Sequence, residues 1–237
     1  VVTGAGRGIG AEIARTLVDQ GAVVALADIV EPGTWSHDLG VDGPHSRHVV
    51  DVTDATSCRA LIDAVVATHG RIDHLVNNAG IVRRGPAATV AVDDFTDVID
   101  VNLTGTFQMS QAAYGALRAT SGSIVNIAST SGAIAVRNTV GYCVSKAGVI
   151  HLTRVLALEW AADGIRVNAV GPTIVPTDMT VDVRGDEAYM REKMASIPLG
   201  RMASANDVAD SVAFLLGDIS SMITGQVVYI DGGVTTQ

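Results

Sequence analysis

Cysteine is nearly absent from this chain, and its scarcity excludes several classes of protein. Among 237 residues there are two cysteines, Cys58 and Cys143, and neither has a second thiol or a histidine at metal-ligand spacing. The sequence therefore predicts neither a disulfide framework nor a metal site. Two free thiols are typical of a reducing compartment, so we expect a cytoplasmic protein.

Long hydrophobic runs and an excess of positive charge are also missing. The longest apolar stretches, such as residues 22–27, are far shorter than the ~20 residues that cross a bilayer. The net charge of −9, with no basic stripe, argues against binding to a phosphate backbone. We therefore expect neither a membrane nor a nucleic acid as a partner. Because a glycine loop follows Val1 almost at once, we also expect part of the first strand, and any targeting signal, to lie upstream.

Short β-branched runs alternate with helical stretches along the whole chain. Hydrophobic residues make up 48% and charged residues 17%, which is enough apolar material for a large core. The alternation indicates a parallel sheet, and runs that are apolar on both faces indicate helices on either side of it. No linker or repeat divides the chain. We predict one α/β domain over residues 1–237, a doubly wound Rossmann fold whose seven parallel strands lie at residues 1–2, 22–28, 47–50, 72–77, 123–129, 165–170 and 226–230.

Two predicted helices, residues 93–119 and 140–162, carry apolar or small side chains on more than one face. Ala147 and Gly148 belong to such a face of the second helix. A helix that is apolar nearly all round needs a second partner. That partner is either another part of the same subunit or a neighbouring subunit, and we expect a homotetramer.

The segment 171–201 is the one irregular stretch of the chain. It contains three prolines and a charged insert at residues 182–193. Long loops of this kind often cover active sites. We expect residues 172–200 to form a lid that closes over the substrate.

A glycine-rich loop at residues 3–10 lies between the first strand and an amphipathic helix. Glycines let backbone N–H groups at a helix N-terminus approach a pyrophosphate. The spacing departs from G-x-G-x-x-G, because isoleucine stands where the last glycine would be. The arginine of the loop has three alternative roles: it binds a 2′-phosphate, it contacts the diphosphate, or it faces solvent. The loop predicts a dinucleotide site formed by Gly4, Arg7, Gly8, Ile9 and Gly10.

Asp28 ends the second strand, at the distance along the chain where an acid binds the adenosine ribose of a dinucleotide. A carboxylate at ~5 Å and an effective dielectric of ~20 repels a 2′-phosphate by on the order of 3 kcal/mol, about a hundredfold in affinity. No second basic residue stands beside Asp28 in the sequence, and Glu31 is a less favoured acidic alternative. We therefore expect NAD rather than NADP as the cofactor.

Two Tyr-x-x-x-Lys pairs occur, Tyr142 with Lys146 and Tyr189 with Lys193. Helical spacing puts each phenol and ammonium on one face, one turn apart. A neighbouring cation favours the phenolate and lowers a tyrosine pKa from about 10, which suits acid/base chemistry. Ser129 stands thirteen residues before Tyr142 at the carboxyl end of a strand, where α/β sheets bind ligands. The equivalent residue before the second pair is a proline. We predict a catalytic role for the first pair and a solvated surface for the second.

These motifs together resemble the short-chain dehydrogenase/reductase family over nearly the whole chain. Residues 3–10 are similar to its TGxxxGxG loop, and residues 77–80 are similar to its NNAG strand end. The resemblance implies a catalytic tetrad of Asn102, Ser129, Tyr142 and Lys146. It also implies cofactor contacts beyond the glycine loop, at Asp51, Val52, Asn78, Ala79, Gly80, Tyr142, Lys146, Val175 and Thr177.

The resemblance also implies a role for each member of the tetrad. Tyr142 exchanges the proton, Ser129 hydrogen-bonds the reacting oxygen, and Lys146 binds the nicotinamide ribose while lowering the pKa of the tyrosine. Asn102 holds a water on the proton relay. The simpler alternatives are a helix-bending side chain for Asn102 and a strand-end hydroxyl for Ser129, with Ser131 as a substitute for the serine.

One position departs from the family pattern, because Thr173 follows Pro172 where the family usually has glycine. The Pro-Thr pair and the ending at residues 231–237 resemble sugar and polyol reductases, including the xylulose, arabinitol and threitol enzymes. A site that pairs hydroxyls rejects analogues without them. The polar residues able to reach the site either bind such hydroxyls or face solvent, namely Ser131, Arg137, Asn138 and Asp182.

The sequence thus predicts an NAD-dependent oxidoreductase that interconverts a secondary alcohol and a ketone, with a small polyol or ketose as substrate. A rival is a 3-oxoacyl-carrier-protein reductase, which residues 177–180 resemble. That group normally prefers NADP and docks an acidic carrier through basic residues. The carboxylate of Asp28 and the net negative charge of the chain therefore argue against this function. A second rival is a catalytically silent, NAD-sensing protein on the same fold, which would lack Tyr142 or Lys146.

Overall fold

The computed structural model describes residues 1–35 and 43–236, and within them seven strands form one parallel sheet. The strand order is β3-β2-β1-β4-β5-β6-β7. The predicted single-domain, doubly wound α/β fold is confirmed, and each predicted strand has a counterpart whose ends differ by a few residues. The strands are β1 Val2–Thr3, β2 Ala25–Asp28, β3 Ser46–Val49, β4 His74–Asn77, β5 Ser123–Ile127, β6 Arg166–Pro172 and β7 Val227–Ile230.

Helices cover both faces of this sheet. They are α1 Gly8–Asp19, α2 Ala55–His69, α3 Val92–Ile99, α4 Gly105–Thr120, α5 Val140–Trp160, α6 Val181–Arg184, α7 Glu187–Ala195 and α8 Ala205–Leu216. The pair α1 and α8 packs on one face, and α2, α4 and α5 pack on the other. Within residues 1–35 and 43–236, none of the helices is long and apolar enough to cross a membrane.

Alternate residues of the central strands enter two separate buried layers. On β2, Ala25 and Ala27 belong to the layer under α2, α4 and α5, whereas Leu26 belongs to the layer under α1 and α8. Ile124 and Val125 on β5 divide in the same way. Because both faces are covered, these strands are apolar at successive positions, and this pattern is what predicted a parallel sheet.

The predicted helix at residues 93–119 is interrupted. A π-helical turn, Asp100–Thr104, joins α3 to α4 and contains Asn102. The other predicted helix, residues 140–162, matches α5 and the short 3-10 turn Ala161–Asp163 that follows it. A π turn leaves the hydrophobic pattern of the flanking helices intact, so periodicity does not reveal it. Such turns are frequent at functional sites.

The segment 171–201 is more regular than predicted. After the end of β6 it contains a 3-10 turn, Asp178–Thr180, and then α6 and α7. The side chain of Asp186 begins α7, because its Oδ1 accepts hydrogen bonds from the backbone of Ala188 and Tyr189, each at 3.0 Å. The charged insert is therefore largely helical, and it starts at an N-cap that the sequence analysis overlooked.

The position of β1 determines where ligands enter. It pairs with β2 on one side and with β4 on the other, so the strand order reverses at this point. Connections leave the two neighbouring strands toward opposite faces, which opens a crevice at the carboxyl edge of the sheet. The glycine loop after β1 and the segment after β4 border this crevice.

Candidate active site

The glycine loop has a backbone that only glycine adopts easily. Gly4 and Gly8 have φ angles of +62° and +58°. A Cβ on Gly10 would lie 2.2 Å from the carbonyl oxygen of Gly4, which no side chain tolerates. Arg7, the N-cap of α1, forms no side-chain hydrogen bond to the first turn within the described residues. The N–H groups of that turn therefore stay available to an anion, and the loop fits a dinucleotide diphosphate.

The side chain of Asn78 ties this loop to the end of β4. Its Nδ2 donates to the carbonyl oxygens of Thr3 and Gly4, each at 3.0 Å. In return, the hydroxyl of Thr3 accepts hydrogen bonds from the backbone of Asn78 at 3.0 Å and Ala79 at 3.1 Å. The sequence analysis treated Asn78 as a cofactor contact. In the structure its amide shapes the loop, and the residue also lines the cavity described below.

Asp28 lies at the end of β2 beside the glycine loop. Its Oδ2 accepts a hydrogen bond from the backbone of Gly6 at 2.9 Å, and its Oδ1 accepts one from Val30 at 3.3 Å. The ring of Trp35 lies close by, because a Cβ on Gly6 would come within 3.2 Å of it. The guanidinium of Arg47 lies over this ring, 5.9 Å from its centroid. A basic residue, Arg47, therefore does lie near Asp28. The sequence analysis missed it because it reaches this place on β3, a different strand.

Two further predicted cofactor residues are engaged locally. Oδ1 of Asp51 accepts hydrogen bonds from the backbone and hydroxyl of Thr53, at 2.9 and 2.7 Å. Val52 is buried against the start of α4, where a Cβ on Gly105 would lie 2.7 Å from its Cγ2. The guanidinium of Arg7 lies 3.6 Å from the carboxylate of Asp178, with both side chains exposed. Such a pair contributes little to stability and leaves Arg7 free to turn toward a phosphate.

Ser129, Tyr142 and Lys146 line a single cavity of about 420 Å³. Ser129 follows β5 and accepts a hydrogen bond from the backbone of Ser131 at 3.1 Å. Tyr142 stands in the first turn of α5, and Lys146 stands one turn later with its Nζ 5.6 Å from the tyrosine ring centroid. The buried Nζ also donates to the carbonyl oxygen of Ile127 at 2.7 Å. The structure brings together the serine, phenol and ammonium that the sequence selected.

The electrostatics around Tyr142 differ from the expectation. Burial raises the pKa of the phenol, while a hydrogen bond with Ser129 and the positive charge of Arg84 act in the opposite direction. Burial also lowers the pKa of Lys146 to about 8. The sequence analysis attributed the lowering of the tyrosine pKa to Lys146 and overlooked Arg84. The arginine follows β4 in the chain, so spacing from Tyr142 gave no signal for it.

Asn102 lies in the π-helical turn, beside the cavity-lining residues Gly80 and Lys146. The side chain is fully buried; its Oδ1 accepts from the backbone of Ile81 at 2.8 Å, and its Nδ2 donates to the carbonyl of Ile81 at 2.9 Å. Its Nδ2 also donates to Ser145 Oγ at 3.0 Å. A Cβ on Gly80 would lie 3.2 Å from Asn102 Oδ1 and 3.6 Å from Lys146 Nζ. Asn102 therefore both holds a distorted helix and adjoins the candidate catalytic lysine.

The chain accepts threonine where the family usually has glycine. Thr173 donates its backbone N–H to Ile230 at 3.1 Å, and the non-glycine residues with positive φ in the described chain are Ser121 and Asn138. Among the described residues, the buried hydroxyl of Thr173 has no hydrogen-bond partner. Farther on, the hydroxyl of Thr180 donates to the carbonyl of Val175 and accepts from the backbone of Thr177, at 2.8 and 3.2 Å. These bonds hold the backbone that the resemblance assigns to the nicotinamide carboxamide.

The second Tyr-x-x-x-Lys pair does not lie on a solvated surface, and that prediction is wrong. Tyr189 and Lys193 are both partly buried on α7, and both line the same cavity as Tyr142 and Lys146. Tyr189 also packs against a small apolar cluster formed by Ile174, Ile197 and Val234. The charged composition of residues 182–193 suggested solvent, but α7 folds back over the carboxyl edge of the sheet.

The polar residues expected to reach the substrate also line this cavity, namely Ser131, Arg137, Asn138 and Asp182. Asp182 accepts a hydrogen bond from the guanidinium of Arg84 at 2.9 Å, and the same guanidinium donates to the carbonyl of Met179 at 3.4 Å. Arg84 therefore connects the segment after β4 to residues 172–200.

Comparison with known proteins agrees with this arrangement. A family model described as enoyl-(acyl carrier protein) reductase matches residues 4–235. A D-threitol dehydrogenase from Mycolicibacterium smegmatis is 42% identical over 243 residues, which span 99% of this chain and 92% of that protein. The chain belongs to the short-chain dehydrogenase/reductase family. A second short-chain relative, a 3-oxoacyl-[acyl-carrier-protein] reductase from Thermotoga maritima, is 38% identical over 238 residues, with 99% and 96% coverage.

Solved structures of short-chain dehydrogenases give the same result. A gluconate 5-dehydrogenase from Burkholderia cenocepacia J2315, in complex with NADP and tartrate, has a TM-score of 0.94 at 33% identity, with 99% of this chain and 94% of that chain covered. Membership of the short-chain dehydrogenase/reductase family makes this protein an oxidoreductase that acts on alcohols, and a nicotinamide cofactor is expected.

Proposed function

We propose that the protein is an NAD-dependent dehydrogenase that interconverts a secondary alcohol and a ketone on a small polyol or ketose. The observation that carries this proposal is the cavity in which Ser129, Tyr142 and Lys146 meet at the carboxyl edge of the sheet. A non-catalytic, NAD-sensing protein would not need a phenol, a hydroxyl and a buried ammonium around one cavity.

In this proposal the glycine loop and the N-terminus of α1 hold the diphosphate, while Asp28 binds the adenosine ribose. The residues that border the rest of the cofactor are Asp51, Val52, Asn78, Ala79 and Gly80. Lys146 binds the nicotinamide ribose, and Val175 and Thr177 hold the carboxamide. The bound nicotinamide supplies the hydride acceptor or donor.

The chain's own residues then move the proton. Tyr142 Oη accepts the proton of the alcohol in the oxidative direction and returns it in the reductive direction. Ser129 hydrogen-bonds the reacting oxygen and stabilises the charge that develops there. Lys146 keeps a positive charge near the phenol, and Asn102 supports the relay behind it. Proton transfer by a positioned group of this kind contributes typically 10²–10⁴-fold to a rate.

The polyol assignment is supported by the polar wall of the cavity and by the name of one relative, D-threitol dehydrogenase. The test is kcat/KM with NAD for four- and five-carbon polyols, a hydroxysteroid and a 3-hydroxyacyl thioester. We expect the best polyol to exceed the other two by at least about tenfold, because unpaired polar groups in the site penalise an apolar substrate. A tenfold advantage for the thioester would favour the 3-oxoacyl-carrier-protein reductase reading instead.

We also propose a homotetramer, supported by apolar side chains that α4 and α5 expose. Leu158 is 82% exposed, and Phe107, Val144 and Val155 are also exposed. Part of the apolar surface is used within the subunit, since a Cβ on Gly148 would lie 2.6 Å from Leu103. Light scattering at micromolar concentration should give four times the mass of one chain, and Leu158→Asp should lower it. A wild-type monomer would refute the proposal.

A further inference from the structure

Lysine is rare in this chain, and its location is informative. The sequence contains two lysines, Lys146 and Lys193, and both line the cavity described above. Lys146 has a place in the proposed catalytic group. Lys193 stands on α7, which with α6 and the loop of Arg137 forms one wall of the cavity, and it has no role in the proposed reaction.

The two carboxylates of this wall are already engaged. Asp182 forms an ion pair with Arg84 at 2.9 Å, which leaves that pair neutral. Oδ1 of Asp186 accepts the two backbone hydrogen bonds that begin α7. An anion at a helix N-terminus is stabilised by the helix dipole. Among the residues that the structure describes, both carboxylates of this wall therefore already have bonded partners.

Apart from Lys146, the remaining charged side chains that line the cavity are Arg137 and Lys193, and both are positive. Within residues 1–35 and 43–236, neither Arg137 nor Lys193 has a hydrogen bond or an ion pair with another side chain. Arg137 is exposed, whereas Lys193 is partly buried. Burial lowers the pKa of Lys193, and the more distant carboxylate of Asp231 opposes this effect. A partly buried ammonium without a bonded partner is costly, and an anionic ligand would remove that cost.

The carboxylate of Asp231 does not serve as that partner. Its two oxygens accept hydrogen bonds from the backbone of Gly233 at 2.9 Å and from the backbone and hydroxyl of Thr235 at 2.8 and 2.7 Å. One turn before Lys193 on α7, Tyr189 lines the same cavity, and no described side chain bonds to its hydroxyl. The cavity wall thus carries an ammonium and a phenol one helical turn apart. This pair suits a ligand in which an acid group lies beside a hydroxyl.

We propose that Lys193 is a specificity-determining residue that binds an anionic group of the substrate, a carboxylate or a phosphate, with Tyr189 hydrogen-bonding beside it. The inference rests on the proposed alcohol–ketone chemistry and narrows its substrate to a polyhydroxylated chain that carries an acid group. In a protein with a net charge of −9, a locally positive cavity wall is selective for such a ligand because the remaining surface repels anions.

The test compares three substrates of one configuration with NAD: a four-carbon polyol, the corresponding aldonic acid and the terminal monophosphate of the polyol. We expect one of the two anions to exceed the neutral polyol by at least about tenfold in kcat/KM. The better anion identifies the acid group as a carboxylate or a phosphate. A wild-type preference for the neutral polyol overturns the inference but leaves the proposed function intact.

Variants then test whether Lys193 causes the preference for an anionic substrate. Lys193→Met should raise KM for the preferred anion at least about tenfold with little change in kcat, and should change kcat/KM for the neutral polyol by less than about threefold. Lys193→Arg should restore most of the loss. Arg191→Met removes a charge from the exposed part of the same helix and should have no comparable effect. An equal loss for neutral and anionic substrates, or an equal effect of Arg191→Met, overturns the inference. Failure of the wild type to oxidise any of the three overturns the proposed function as well.

Discussion

Replacing Tyr142 with phenylalanine should lower kcat by at least about a thousandfold while leaving the affinity for NAD nearly unchanged. In the proposed reaction the phenol of Tyr142 exchanges the proton with the substrate oxygen, and it provides little of the cofactor site. Ser129 keeps its bonds to the backbone of Ser131 and Pro172 when the hydroxyl is removed. The fold of the cavity should therefore survive, and the loss should be confined to the chemical step.

The measurement is steady-state kinetics together with fluorescence titration of NADH. Tyr229→Phe is a matched control, since it removes a phenol from β7 while keeping the ring that packs on Gly171; its activity should be near that of the wild type. Lys146→Ala should reduce both turnover and cofactor affinity. An active Tyr142→Phe combined with an inactive Tyr189→Phe would show that the other Tyr-x-x-x-Lys pair performs the chemistry.

Replacing Asp28 with asparagine should reduce the preference for NAD over NADP by one to two orders of magnitude. Asparagine keeps one acceptor oxygen for the backbone of Gly6 or Val30 but removes the negative charge. At ~5 Å and an effective dielectric of ~20, that charge repels a 2′-phosphate by on the order of 3 kcal/mol. Arg47 on the neighbouring strand attracts the same phosphate, so the measured discrimination should lie toward the lower end of this range.

The quantity to measure is the ratio of kcat/KM values for NAD and NADP in the wild type and the variant. Glu31→Gln, which removes a carboxylate from the exposed residues after β2, should leave this ratio unchanged. A wild-type enzyme that favours NADP would contradict the proposed cofactor. An unchanged ratio in Asp28→Asn would assign the discrimination to another residue.

The fold was accessible from the sequence because both faces of the sheet are covered. Covered strands are apolar at successive positions, and the glycine loop after β1 marks the reversal of strand order. The π turn at Asn102 was not accessible, since the helices on either side of it keep their ordinary periodicity. The helix α7 was obscured by its charged residues, which burial of Tyr189 against an apolar cluster outweighs.

The candidate site was accessible only in part, for a related reason. Residues close along the chain, such as Tyr142 and Lys146, reveal themselves by their spacing. Arg47 comes to the site on β3 and Arg84 in the segment after β4, so spacing gives no sign of them. The hydrogen bonds of the Asn78 side chain were hidden for the same reason, because they reach a loop 74 and 75 residues away. The spacing of Lys193 was visible, but the charged residues around it predicted a solvated surface.

The bond between Asn78 and the glycine loop has a consequence for protein engineering. The loop is held in shape by an amide from a different strand, so residues 3–10 are not a portable module. Grafting these eight residues onto another parallel sheet would transfer the glycines but not the hydrogen bonds from Asn78. The grafted loop would then lose conformational freedom each time a ligand bound. Here hydrogen bonds within the chain organise the loop, so binding does not bear that entropy. The smallest unit that could be transferred consists of the carboxyl ends of β1 and β4 together with the loop.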